Sequence, residues 1–140
     1  MPFCKLQAYA KPGINKPLLF DEIKRKKIQH KIANYWKQCG KEKFDKGPDG
    51  TRVTIVDDLV IIRTERYLTK MERFVIDNES DGAEYIRSLR VNVLDGAIQE
   101  GELISTIEKM VEATAIYCIH DSYPSDEYCV MIIVFDRQLA

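Results

Sequence analysis

The run Cys129-Val130-Met131-Ile132-Ile133-Val134-Phe135 restricts the fold more than any other stretch of this chain. Side chains alternate across a strand, and here both alternating sets are apolar. Such a strand needs neighbours on either side, so it is central and not an edge. Ala115 to His120 supplies another strand, with Ile116, Cys118 and His120 on one face, and Ser122-Tyr123-Pro124-Ser125-Asp126 joins the two as a loop. Two further β-branched segments, Thr51 to Val56 and Leu59 to Thr64, flank Asp57-Asp58, a two-residue hairpin loop. In that hairpin Val53 and Ile55 face one side, Thr54 and Val56 the other.

Helical signals fill the rest. Leu18 to Cys39 carries Ile23, Ile28, Ile32 and Trp36 or Tyr35 near one stripe, with Pro17 tolerated in the first turn and Gly40 placed to stop the helix. Thr69-Lys70-Met71-Glu72 fits a capping box that opens a short helix to about Ile76. Ser80 or Asp81 caps the next helix. Its stripe runs through Ile86, Leu89, Val93 and Ala97 and resumes at Ile104, Ile107 and Val111; Gly96 and Gly101 leave open one helix or two. Pro2, Pro12 and Gly13 make residues 1–16 an irregular arm. The expectation is a single α+β domain over 17–140, with a four-stranded, mostly antiparallel sheet and helices packed on one face, in the order α-β-β-α-α-β-β.

A chain of 140 residues, 45% hydrophobic and 31% charged, can bury a core without disulfides. No apolar run approaches the roughly 20 residues of a membrane span, and Met1-Pro2-Phe3-Cys4-Lys5 is no secretory signal, so the expected location is cytoplasmic, with room for a peripheral position at a membrane. Cys4, Cys39, Cys118 and Cys129 form no C-x-x-C pair and, with His30 and His120, no zinc-ligand spacing; they read as reduced thiols, with no metal and no cofactor expected. A cluster of Cys118, His120 and Cys129 remains the alternative.

The net charge of −1 hides an asymmetry. Residues 1–50 hold 12 Lys or Arg against 5 Asp or Glu, and residues 51–140 hold 9 against 17. A basic part and an acidic part favour self-association, with a homodimer expected, or docking on a charged partner. Lys24, Arg25, Lys26, Lys27 and Lys31 form the basic face of the first helix. They are either a solvated surface or a footprint on nucleic acid, anionic lipid or an acidic protein. The acidic second part weighs against nucleic acid.

Catalytic patterns are missing: there is no G-x-S-x-G and no known cysteine signature. Phe44-x-Lys46-Gly47-Pro48 lacks the glycines and terminal Lys-Ser or Lys-Thr of a phosphate loop, and reads as a rigid turn into the first strand. His120-Asp121 invites an acid–base reading beside a structural one. Built around His120, Asp121 and Cys129, a small-molecule site would need those side chains to converge on one pocket. Trp36, Tyr35 and Phe44 are either core packing or an exposed aromatic patch.

Phe44-Asp45-Lys46-Gly47-Pro48, the hairpin, Leu68-Thr69-Lys70-Met71-Glu72-Arg73, the helix containing Arg87 and the closing strands with His120-Asp121 together resemble the MpsC-like family over about residues 25–135. That family is named for a Na+-translocating, membrane-potential-generating system, and its relatives are associated with inorganic-carbon uptake. Pro commonly precedes Met-Glu in the family, where Lys70 stands here, and Ala113-Thr114-Ala115 stands in place of a Thr-Gly pair. The resemblance implies a non-enzymatic accessory or regulatory module of a membrane ion-transport complex. It supplies no catalytic residues, and it marks Phe44, Lys46, Gly47, Pro48, Met71, Glu72 and Arg73 as an interaction surface beside the basic helix. A nucleic-acid-associated regulator using that helix is the alternative function.

Overall fold

A computed structural model describes residues 3–6 and 14–140. The elements are β1 (Phe3–Lys5), α1 (Glu22–Phe44), β2 (Gly50–Val56), β3 (Leu59–Glu65), α2 (Lys70–Asn78), α3 (Gly82–Glu100), α4 (Glu102–Val111), β4 (Ala115–Tyr123) and β5 (Tyr128–Phe135), with a short 3-10 turn at Pro124–Asp126. The strands form one antiparallel sheet in the order β1-β4-β5-β3-β2. The α+β class stands, but the sheet has five strands where four were expected. The extra one is β1, which lies inside the expected arm and pairs Phe3–Lys5 with Ile119–Tyr117. Three residues beside a proline give no period to read; their pairing is a tertiary event. Residues 1–2 and 7–13 of that arm lie outside the described residues.

β5 sits between β4 and β3, as its all-apolar sequence requires. Cys118, Met131, Ile133, Val60, Ile62, Val53 and Ile55 share the face that packs beneath Ile28 and Ile32 of α1, Ile98 of α3 and the Leu103, Ile104, Ile107 and Val111 stripe of α4. Each such side chain taken fully from water stabilises the fold by roughly 1.5–3 kcal/mol. Asp57, the first hairpin residue, takes φ 53°. Asp and Asn tolerate this region better than most residues, which is why Asp-Asp serves here.

Helix boundaries depart from the sequence reading in instructive ways. α1 begins at Glu22 and not near Leu18, because Asp21 caps it, accepting the Lys24 amide N–H at 2.8 Å. The preceding residues spend their amides elsewhere: Leu18 N–H donates to the Gln138 carbonyl at 2.8 Å and Phe20 N–H to the Leu139 carbonyl at 2.7 Å. Ile23, expected on the buried stripe, is 72% exposed. Gly40 does not stop α1; the helix runs to Phe44 and ends at Asp45 in the left-handed region. A side chain at Gly40 would meet the Pro48 ring at 3.2 Å, so that glycine admits the following loop instead.

The stripe left open as one helix or two is two, α3 and α4, so with α2 the middle of the chain holds three helices where the expected order counted two. The break after α3 falls at Gly101, with φ 87°, and not at Gly96. The two glycines therefore predict opposite responses. Gly96 lies inside α3 with open space around it, so Gly96→Ala should stabilise the fold by about 0.5–1 kcal/mol. Gly101→Ala should cost about 1–2 kcal/mol through left-handed strain. Urea denaturation of the two variants checks both signs.

Candidate functional site

Two arrangements meet at one end of the sheet. The first is a clamp around Arg90, which α3 carries onto its buried side. Its Nε donates to Glu72 Oε2 at 2.7 Å, and its Nη2 donates to Glu72 Oε1 at 2.5 Å and to the Tyr67 carbonyl at 3.1 Å. The guanidinium lies over the Phe44 ring at 3.7 Å and the Tyr67 ring at 4.8 Å. Glu72 also closes the expected capping box, accepting the Thr69 amide N–H at 3.0 Å while its own amide donates to Thr69 Oγ1 at 3.2 Å. Burial pushes the Glu72 carboxyl up, but the hydrogen bonds from Arg90 and Thr69 outweigh it and hold the group below its ordinary range.

Beside the clamp, Lys46 Nζ donates to the carbonyls of Arg66 and Leu68 at 2.9 and 3.2 Å, which ties the Lys46-Gly47-Pro48 turn to the end of β3. Arg73 pairs with Glu127 at 2.8 Å.

The second arrangement is a cavity of about 270 Å³. Tyr35, Trp36, Cys39 and Phe44 of α1 wall one side, and Val91, Leu94 and Ala97 of α3 with Leu103 of α4 wall the other. Thr64, His120, Ser122 and Cys129 line it from the helix-covered face of the sheet. Trp36 Nε1 donates to Thr64 Oγ1 at 2.8 Å, and the Tyr67 hydroxyl and Ser122 Oγ share a hydrogen bond of 2.5 Å. Lys43 meets Glu100 at 3.6 Å among the lining residues. Burial pushes the Cys129 thiol and the Tyr67 phenol up to about 12 each, so both stay protonated at neutral pH. Neither is activated as a nucleophile or base; what the arrangement offers is a partly open, mainly apolar cavity with a few hydrogen-bonding groups and charged residues among its lining.

His120 and Asp121 do not act as the pair their adjacency suggested. The buried His120 Nε2 meets Asp95 Oδ1 at 2.6 Å, whereas Asp121 accepts from Arg87 Nη2 at 2.8 Å. Burial pushes the Asp121 carboxyl up, and the Arg87 and Ser122 hydrogen bonds overcome it to leave the group lowered. His120 and Cys129 do share the cavity, while Cys118 lies in the core beyond it. Among the described residues no group of three His, Cys, Asp or Glu side chains is placed to hold a metal ion.

The expected interaction residues fall in two places. Lys24, Lys26, Lys27 and Lys31 are exposed and Arg25 half-buried on the first turns of α1. Lys26 pairs with Glu22 at 2.9 Å and Lys24 approaches Glu112 at 4.0 Å, while Lys27 and Lys31 make no ion pair among the described residues. Phe44, Lys46, Gly47 and Pro48 lie at the other end of the helix, roughly 20–30 Å away at 1.5 Å per residue. There Glu72 is buried, Phe44, Lys46, Gly47, Pro48 and Arg73 are half-buried, and Met71 is 72% exposed. Sequence reasoning missed Arg90, Tyr67 and Thr64. A lone arginine on an apolar helix stripe was the one available signal.

A family model described as "Na+-translocating membrane potential-generating system (MpsC)" matches residues 24–137. The chain belongs to the MpsC family. Searches of curated proteins and of solved structures give no match. The MpsC match spans both arrangements and leaves β1 outside. The segments that carried the resemblance, Phe44 to Pro48 and Leu68 to Arg73, are the ones that build the Arg90 clamp. No helix among the described residues of this MpsC chain is long and apolar enough to cross a membrane.

Proposed function

We propose that this chain is an accessory or regulatory component of a Na+-translocating, membrane-potential-generating system, acting from beside the membrane as a non-enzymatic module. The observation that carries this reading is the MpsC match over most of the chain. Docking uses the basic face of α1, where Lys24, Lys26, Lys27 and Lys31 stand in solvent. Lys27 and Lys31 make no ion pair among the described residues, and a partner's carboxylates would pair with them at little desolvation cost. The opposed charges of the first 50 residues and the remainder support a homodimer as the working unit.

Affinity capture from solubilised native membranes tests the docking. Wild-type protein is expected to recover membrane-transport subunits at low salt. A variant with Lys24, Arg25, Lys26 and Lys27 changed to Gln is expected to recover roughly tenfold less or lower, since cations near an opposing charged surface contribute about 1 kcal/mol each. Equal recovery by both forms removes α1 as the docking face. Nucleic acid recovered instead, with steep salt dependence, replaces the reading with a nucleic-acid-associated regulator.

A further inference from the structure

We propose that the cavity between α1, α3 and the sheet is a binding site for a neutral, ring-sized small molecule that carries a hydrogen-bond acceptor such as a carbonyl oxygen. The proposal goes beyond the docking function and stands independently of it.

Size sets the first limit. A dry cavity of about 150 Å³ is enough to take up benzene. At about 270 Å³ this one has room for a bicyclic ring. The walls are aromatic and aliphatic, with Trp36, Phe44, Leu94 and Ala97 offering the flat apolar surface that ring compounds bury against.

Charge sets the second limit. The cations that line the cavity are already engaged: Arg90 with Glu72, Lys43 with Glu100, and Lys46 with Asp49 and the carbonyls of Arg66 and Leu68. The lining carboxylates Glu42 and Glu102 are exposed and stay in water. An anion entering would find no unspent cation, and an ion of either sign placed between the apolar walls would lose hydration that the exposed carboxylates, standing in water, do not repay. A neutral molecule avoids that cost.

Thr64 supplies the polar anchor. Its Oγ1 accepts the Trp36 indole proton, and its own hydroxyl hydrogen makes no bond among the described residues. That hydrogen is free to be given to a ligand oxygen. The same contact couples the ligand to Trp36, the single tryptophan of the chain.

The test titrates the full chain with 1-tetralone, a neutral bicyclic ketone, and follows Trp36 fluorescence alongside calorimetry. The expected result is saturable binding of one molecule per chain with Kd on the order of 0.1 mM. The anionic bicycle 1-naphthoate should bind at least about tenfold more weakly. Ala97→Phe, which fills the space, should abolish binding. If that variant does not fold, Thr64→Val decides: it should weaken the ketone several-fold more than the hydrocarbon tetralin, because only the ketone loses a hydrogen bond. No saturable binding of 1-tetralone, equal binding of the carboxylate, unchanged binding by a folded Ala97→Phe, or equal loss of ketone and hydrocarbon in Thr64→Val would each overturn the proposal.

Discussion

Glu72→Ala is expected to cost about 3–5 kcal/mol of folding stability, because it strands the Arg90 guanidinium in the interior without its carboxylate. Both side chains are at least nine-tenths buried, so solvent cannot take over the lost contact. The change also removes the reciprocal half of the capping box, leaving the Thr69 amide without its acceptor. Against a total of about 5–15 kcal/mol for a typical domain, this is a large share.

Two further readings separate the ion pair from a generic core lesion. Pairing Glu72→Ala with Arg90→Met should recover much of the loss, since the uncompensated charge is then gone. The acid limb of the stability curve should flatten as well. The folded Glu72 carboxyl titrates below its ordinary value of about 4.3. Its contribution is therefore fully present above that pH and is lost as pH falls through the depressed folded value. The gap between wild type and Glu72→Ala should be full and constant above about pH 5 and should close as pH falls below about 4. Urea denaturation across this range is the check; a constant difference at all pH values would contradict the assignment.

Gly82→Ala is the second large effect, in a position where the usual expectation is a gain. Alanine in place of a helical glycine ordinarily adds about 1 kcal/mol. Here a Cβ would fall 2.2 Å from the Val75 carbonyl oxygen and 2.8 Å from the Ile76 Cα. Both are backbone atoms of α2, so no side chain can rotate away and the two helices have to move apart. The loss should reach the upper end of the roughly 1–3 kcal/mol typical of overpacking. The damage should spread, because α2 carries Glu72 and α3 carries Arg90, and separating them lengthens the clamp. Denaturant unfolding gives the magnitude. A variant as stable as wild type would mean that the α2–α3 crossing is looser than its geometry indicates.

Much of this architecture was legible because local chemistry and tertiary demand agree. The β5 run is apolar on both faces and sits in mid-sheet; Thr69 and Glu72 form the capping box their spacing implies; Ile104, Ile107 and Val111 are buried as their period requires. The failures come where the deciding contact is distant in sequence. β1 exists only through its pairing with β4. Gly40 looked like a helix stop because its real reason, the approach of Pro48, comes from a loop not yet in place. The α3 stripe was read one position away at Leu89, which is 43% exposed, while the buried position belongs to Arg90. Hydrophobic period cannot assign a charged residue to a core face; only its partners Glu72, Phe44 and Tyr67 explain it. The cavity was foreseen only as a condition, that His120 and Cys129 share a face. The residues that give it its character, Trp36 and Thr64, come from elements separated by a whole hairpin strand and loop.

The central proposal is that this MpsC chain supports a Na+-translocating, membrane-potential-generating system through its basic helix. The most direct measurement is the Na+-dependent membrane potential, read with a voltage-sensitive dye, in cells lacking the chain. The account predicts a diminished potential, restored by wild type and not by the variant with Lys24, Arg25, Lys26 and Lys27 changed to Gln. A potential unchanged by loss of the chain would contradict it.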